Sequence, residues 1–201
     1  MGWWLAYVGL LLALVVRVST RETPARSAPP PQPADPLGLV AVHHAVFYLL
    51  LVAAPLEAAL VGGVAEGRWA GLAAFAAGVT AYRVAGTTLG VALSPFVEPA
   101  PGATLVTHGV YRHVRHPMYL GQALMALGAP LTLGCRATLA LSAVALVVLG
   151  VRVGLEERAL RRRYPAYARY AESAAAGRAA ALLWAALVYA AYWLRYLPGP
   201  A

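Results

Sequence analysis

The 201-residue chain has no lysine; all 16 of its basic residues are arginine. Set beside so much alanine, this points to a compositional bias rather than a chemical demand. Cysteine is almost as scarce. Cys135 stands alone, which excludes a disulfide framework. Charged residues make up only 12% of the chain against 61% hydrophobic ones, and the apolar residues fall in runs of membrane length, which excludes an ordinary soluble domain. There is no internal repeat and no Gly-x-Gly-x-x-Gly dinucleotide signature. Ala6 stands where N-terminal myristoylation needs Ser or Thr. The net charge of +8 would suit nucleic acid, but the arginines sit between apolar runs rather than on a soluble face. Membrane topology accounts for them better. Neither nucleic acid nor a metal ion is expected as a partner.

What is present is a set of six apolar segments, at about 3–18, 37–61, 69–93, 118–133, 137–154 and 179–197. They predict an all-α, polytopic membrane helical bundle of about six transmembrane helices. The first, fourth and fifth are short for a straight span of roughly 20 residues, so tilt or interfacial ends must help. Segment one lacks a positive n-region and carries Arg17 at its far end, which favours a retained helix over a cleaved signal peptide. Three parts follow. Residues 1–36 hold the first helix and a Pro-rich linker with Pro24, Pro29, Pro30, Pro31, Pro33 and Pro36; residues 37–178 form the core; residues 179–201 add a C-terminal helix. With the N-terminus outside, the inner side receives thirteen arginines and the outer side keeps Arg68, Arg136 and Arg195. This asymmetry predicts a multi-pass protein whose 94–117 and 155–178 loops face the cytoplasm.

The densest polar cluster is Gly109-Val-Tyr-Arg-His-Val-Arg-His-Pro-Met-Tyr-Leu-Gly121, directly before an apolar run. Charge near lipid is costly, so such a cluster at a helix entrance marks a candidate site, although a positive-inside anchor would also carry arginine there. Pro117 suits the first position of a helix, whose free N–H groups and positive dipole end favour an anion. Arg115 and His116 precede it, and Met118, Tyr119 and Gly121 follow in the first turn. His113 fits a surface histidine without a role. His43 and His44 lie in the second apolar run with no matching motif, and no role is expected of them. Arg152, Glu156 and Glu157 form a second constellation at the cytoplasmic end of the fifth run. Arg152 and Glu156 are four apart and share a helix face, which a plain helix salt bridge would also explain. The Gly134-Cys135-Arg136 turn makes runs four and five a hairpin, so this cluster should meet the first one. Beyond it, Leu160, Tyr164 and Tyr167 form a stripe read as an interfacial segment on anionic headgroups, broken at Pro165.

His108-Gly-Val-Tyr111, Arg115-His-Pro-Met-Tyr119-Leu-Gly121, Arg152-x-x-x-Glu156-Glu157 and Tyr167-x-x-Tyr170 together resemble the isoprenylcysteine carboxyl methyltransferase family, to which phospholipid N-methyltransferases are related. The resemblance covers about residues 82–170 and departs at the Ala-rich 171–178 stretch and the apolar run after it. It implies S-adenosylmethionine as cofactor and a lipophilic substrate entering from the bilayer, among membrane lipids. It further implies that Ala103, Thr104, Leu105, Val106, Tyr111, Arg115, His116, Pro117, Met118, Tyr119, Glu156 and Glu157 would contact the cofactor. Arg152 would face the substrate and act in catalysis with Glu156. Physical chemistry agrees with methyl transfer to an acid. The sulfonium and carboxylate charges cancel in the transition state, and a carboxylate needs no base at neutral pH. An amine acceptor would need His116 or a Glu to take its proton. Three readings stay open: a carboxyl O-methyltransferase, a lipid-amine N-methyltransferase, and a membrane reductase or non-enzymatic partner protein on a related scaffold.

Overall fold

The computed structural model describes residues 7–9, 38–63 and 68–174. Most of the first apolar run, the Pro-rich linker and the run at 179–197 lie outside the described residues. Within them the chain is helical, with no strand. The long helices are α1 (Leu39–Leu60), α2 (Arg68–Leu89), α3 (Pro117–Leu133) and α4 (Arg136–Arg163), followed by the short α5 (Tyr167–Ser173). Two 3-10 turns, Gly90–Ala92 and Gly109–Arg112, flank the long loop before α3.

Helix boundaries follow local chemistry. Pro117 opens α3 at the position where its missing N–H is not needed. At the other end Gly134 adopts φ 70°, and the Cys135 amide donates to the Pro130 carbonyl at 2.9 Å, closing α3 and turning the chain into α4 in two residues. α4 does not stop at Gly154. It runs unbroken for 28 residues, so the short fifth span expected from hydropathy is corrected: the apolar stretch ends, but residues 155–163 are all good helix formers. Tyr164 and Pro165 end it, as the proline predicted.

α1 and α3 each carry an internal proline, which frees the carbonyl four residues earlier. Both orphans find a hydroxyl. The Tyr7 phenol reaches the Leu51 carbonyl at 3.4 Å, and the Ser142 hydroxyl donates to the Ala126 carbonyl at 2.6 Å. In an apolar surrounding such orphans need an internal donor.

Phe47, Leu50, Leu51, Phe75, Val79 and Met125 form the centre of the core. α3 is the central helix, packed against α1, α2 and α4, and most intimately against α2. Glycines permit that closeness. A Cβ on Gly78 would lie 2.6 Å from the Gly121 carbonyl, one on Gly121 2.7 Å from the Gly78 carbonyl, and one on Gly128 2.5 Å from the Phe75 nitrogen.

Two described helices, α1 and α4, are long and apolar enough to cross a membrane. Both turn large apolar side chains outward: Leu49, Val52, Leu56 and Leu60 on α1, Val144, Val147 and Val151 on α4. α2 is diluted by Gly, Thr and Arg, and α3 has 17 residues, so neither reaches the same standard.

Candidate active site

The helices alternate in direction, which brings the start of α1, the end of α2, the start of α3 and the end of α4 to one end of the bundle. Arg68 and Arg136 stand at the opposite end. The other nine described arginines lie toward the end that holds the two polar motifs. There a cavity of about 1290 Å³ opens, walled by the 89–106 loop, the entrance of α3 and the last turns of α4.

The two motifs meet as their spacing predicted. The Tyr119 hydroxyl donates to Glu156 Oε2 at 2.5 Å and accepts from Arg152 Nε at 2.8 Å. Arg152 Nη2 donates to the Pro95 carbonyl, which ties the long loop to α4. Arg152 and Glu156 form no direct ion pair, so a plain helix salt bridge does not account for their spacing. The phenol of a neighbouring helix stands between them instead, because α3 packs against that face of α4. The Arg152 side chain is 3% exposed on the cavity wall, and its Nη1 has no partner.

The adjacent acid does something else. Glu157 Oε1 pairs with Arg115 Nη1 at 2.8 Å and lies 3.1 Å from His116 Nε2, and Arg161 approaches Oε2 at 3.7 Å. This cluster ties the entrance of α3 to α4 behind the cavity wall. His116 stacks beside Tyr119, ring centroids 5.8 Å apart, and no side chain caps the α3 N-terminus.

Of the residues marked in the sequence, Ala103, Thr104, Leu105, Val106, Tyr111, Arg115, His116, Met118, Tyr119, Arg152 and Glu156 line the cavity; Pro117 and Glu157 do not. His113 is exposed. Leu160, Tyr164 and Tyr167 also line the cavity, and Tyr167 is 1% exposed, so the interfacial stripe is corrected to a wall of the site. The chain folds back at Pro165 and docks its aromatics inward. The Tyr164 hydroxyl holds the Ala103 carbonyl at 2.8 Å, and the Tyr170 hydroxyl holds the Tyr111 carbonyl at 2.7 Å. Burial raises the Tyr111, Tyr164 and Tyr167 phenols above their ordinary range and pushes Tyr170 up to about 12. All four are neutral donors at physiological pH.

The sequence reading missed three contributors. His43, to which no role was assigned, lines the cavity at 4% exposure with its ring 6.2 Å from that of Tyr119. Gln122 and Pro95 also line it. The available signal for His43 and Gln122 was a polar side chain inside an apolar run.

The phospholipid methyltransferase family model matches residues 67–167, from the edge of α2 to the first residue of α5. That span is half of the chain and carries both motifs. The chain belongs to the phospholipid methyltransferase family. This is the family of the isoprenylcysteine carboxyl methyltransferase-like membrane enzymes. Membership implies methyl-transfer chemistry in a membrane setting. A search of curated proteins finds no match to the chain. His43 lies outside the matched residues, whereas Tyr119, Gln122, Arg152 and Glu156 lie inside them.

Proposed function

We propose that the protein is a multi-pass membrane enzyme that transfers a methyl group from S-adenosylmethionine to the carboxylate of a lipophilic acid, at the cytoplasmic end of the bundle. Arg152 carries the choice of acceptor. It is a buried guanidinium on the cavity wall with one nitrogen unpartnered and, among the described residues, no acid in ion-pair range. A buried charge without a counter-ion is costly, and an incoming carboxylate relieves it with a charge-assisted hydrogen bond. Tyr119 and Pro95 hold the other two nitrogens, so the free Nη1 keeps one direction.

The same cavity suits the cofactor. The uncapped α3 N-terminus would receive its carboxylate, with Arg115 and His116 beside it. Glu156, a quarter exposed, would take its ammonium or a ribose hydroxyl, and the 103–106 backbone with Tyr111 would border its purine. When bound, the cofactor supplies an electrophilic methyl group on a sulfonium cation. Arg152 orients the acid, which is already ionised at neutral pH and needs no base. The tyrosine wall lowers the polarity around the site, where opposite charges attract more strongly. A lipid amine would need a base for its departing proton. Glu157 is engaged by Arg115 and His116 and Glu156 by Tyr119, so the acid reading is carried by Arg152.

On this reading residues 37–178 are the catalytic core, and the 1–36 and 179–201 segments complete a six-helix bundle with both termini outside. Cysteine labelling at Ser94 and Ser173, in a Cys135-free background, should fail from outside intact cells; labelling of either reverses the topology. The activity test uses detergent-solubilised protein and methyl-labelled S-adenosylmethionine. A base-labile methyl ester on a long-chain acid is the expected product. Label on phosphatidylethanolamine instead would move the acceptor to an amine, and absence of cofactor binding by calorimetry would remove the methyltransferase reading.

A further inference from the structure

On the bundle side of Arg152 lies a second group of buried polar atoms. Neither ring nitrogen of His43 nor Oε1 of Gln122 makes a hydrogen bond of good geometry, although the two side chains lie close enough to pair with each other, and both residues line the cavity at 4% and 5% exposure. His43 lies beside Gln122 and within electrostatic reach of Arg152. Its ring meets that of Tyr119 edge to face, the phenol that also holds Arg152 and Glu156. Buried polar atoms in folded proteins are almost always satisfied by protein, water or ligand. Two neighbouring helices, α1 and α3, each contribute one such side chain here, and both open onto the same cavity as the free nitrogen of Arg152.

The inventory of donors and acceptors defines what fits. Arg152 Nη1 offers a donor with positive charge. A neutral imidazole offers one donor and one acceptor, and Gln122 Oε1 offers an acceptor. A simple fatty acid answers the arginine and leaves the imidazole acceptor empty. An acid with a hydroxyl or amide N–H beside its carboxylate answers the arginine and the imidazole acceptor, while Gln122 Oε1 can take the imidazole N–H. Water can occupy these positions in the resting protein, and a ligand group that repeats its bonds displaces it without loss.

We propose that His43 and Gln122 form a specificity subsite that selects lipophilic acids bearing a hydroxyl or amide N–H donor next to the carboxylate. The assignment rests on the methyl-transfer reading for its acceptor, and it adds a residue outside the family-matched span. The subsite draws on α1 and α3, beside Arg152 on α4.

The test measures binding, so that it stands apart from turnover. Radiolabelled 2-hydroxyhexadecanoate, N-dodecanoylglycine and hexadecanoate are bound to the full-length protein in nanodiscs by equilibrium dialysis. One or both donor-bearing acids should bind about tenfold tighter than hexadecanoate, the value of one or two well-made hydrogen bonds; which of the two does so separates the hydroxyl from the amide. In His43→Leu and in Gln122→Leu, made separately, the ratio should fall toward one. His43→Gln, which keeps a donor and an acceptor, should restore it. Equal binding of all three acids by the unaltered protein overturns the proposal, as do a ratio preserved in both leucine variants and a ratio that His43→Gln fails to restore. If the ratio behaves as expected while labelled S-adenosylmethionine yields no ester, the subsite stands and the methyl-transfer reading fails.

Discussion

Toward α2, helix α3 presents Gly121 and Gly128 to Gly71, Gly78 and Phe75; toward α4 it presents Tyr119 to Arg152 and Glu156. At these glycines the first seam has bare backbone on both helices and no polar side chain. Its content is closeness, with backbones near enough that a single added carbon would collide. The second seam is all side chains, and its hydrogen bonds depend on where α3 sits. Functional groups need support within a fraction of an ångström. The glycine seam provides that support to the helix carrying Tyr119, from the side away from the cavity. One face of α3 fixes position, and the other uses it.

The comparison breaks most visibly on the glycine side. Gly128→Leu should give no folded protein, because even its Cβ would lie 2.5 Å from the Phe75 backbone nitrogen, which cannot move alone. The loss should exceed the about 1–3 kcal/mol of ordinary overpacking. Size-exclusion profiles and thermal unfolding of the solubilised protein measure it, and a variant as stable as the parent would show that the seam tolerates separation.

The two neighbouring acids divide the polar seam. Glu157→Gln should destabilise by about 3 kcal/mol, because it leaves Arg115 buried at 7% exposure without its ion pair. The effect belongs in unfolding curves. Glu156→Gln should leave unfolding nearly unchanged and raise the apparent constant for S-adenosylmethionine. Arg152→Lys keeps charge but loses the planar fork, so its loss should fall on the acceptor. Each contact is a charge-assisted one of about 1.5–3 kcal/mol, or on the order of ten- to a hundred-fold. Kinetics with cofactor and acceptor varied separately decide the pair. Equal effects of Glu156→Gln and Glu157→Gln on both stability and kinetics would erase the division.

The polar seam was more legible in the sequence than the glycine seam. Arg115-His-Pro-Met-Tyr119 and Arg152-x-x-x-Glu156 lie at similar distances on either side of a two-residue turn, so hairpin geometry alone predicts their meeting. That Tyr119 would separate Arg152 from Glu156 was not legible, since it depends on how the two helices are rotated. The glycines were visible, but which helix they faced was not: seven-residue spacing marks a stripe without naming its partner. His43 was hidden for the same reason. A polar residue in an apolar run faces lipid, core or cavity according to packing alone. The Tyr164 and Tyr167 wall escaped because a chain reversal at Pro165 leaves two destinations, the headgroup layer or the bundle, and the sequence pattern serves both.

The smallest expected effect sharpens the comparison at the far end of α4, where polar contact is present away from the described cavity. Glu57, on α1, accepts the Ala137 amide at 2.9 Å, and its Oε2 accepts the Thr138 amide and hydroxyl, each at 2.7 Å. It therefore caps the N-terminus of a helix that has no side-chain cap of its own residues. Its charge also faces the positive end of the α4 dipole. Glu57→Gln keeps one acceptor oxygen and removes the charge, so it should cost about 1 kcal/mol, within the range of lost caps. The site residues Arg152 and Glu156 lie well along the same helix from Arg136, roughly 25–30 Å away at 1.5 Å per residue. Rigid α4 and the glycine seam should hold Tyr119 and Arg152 in place despite the loosened cap. Both kinetic constants should then stay within about twofold while the melting temperature drops by a few degrees. A Glu57→Gln variant that loses acceptor use as Arg152→Lys does would mean that the far end positions the site. In that case fixing α3 from the α2 side would not be enough.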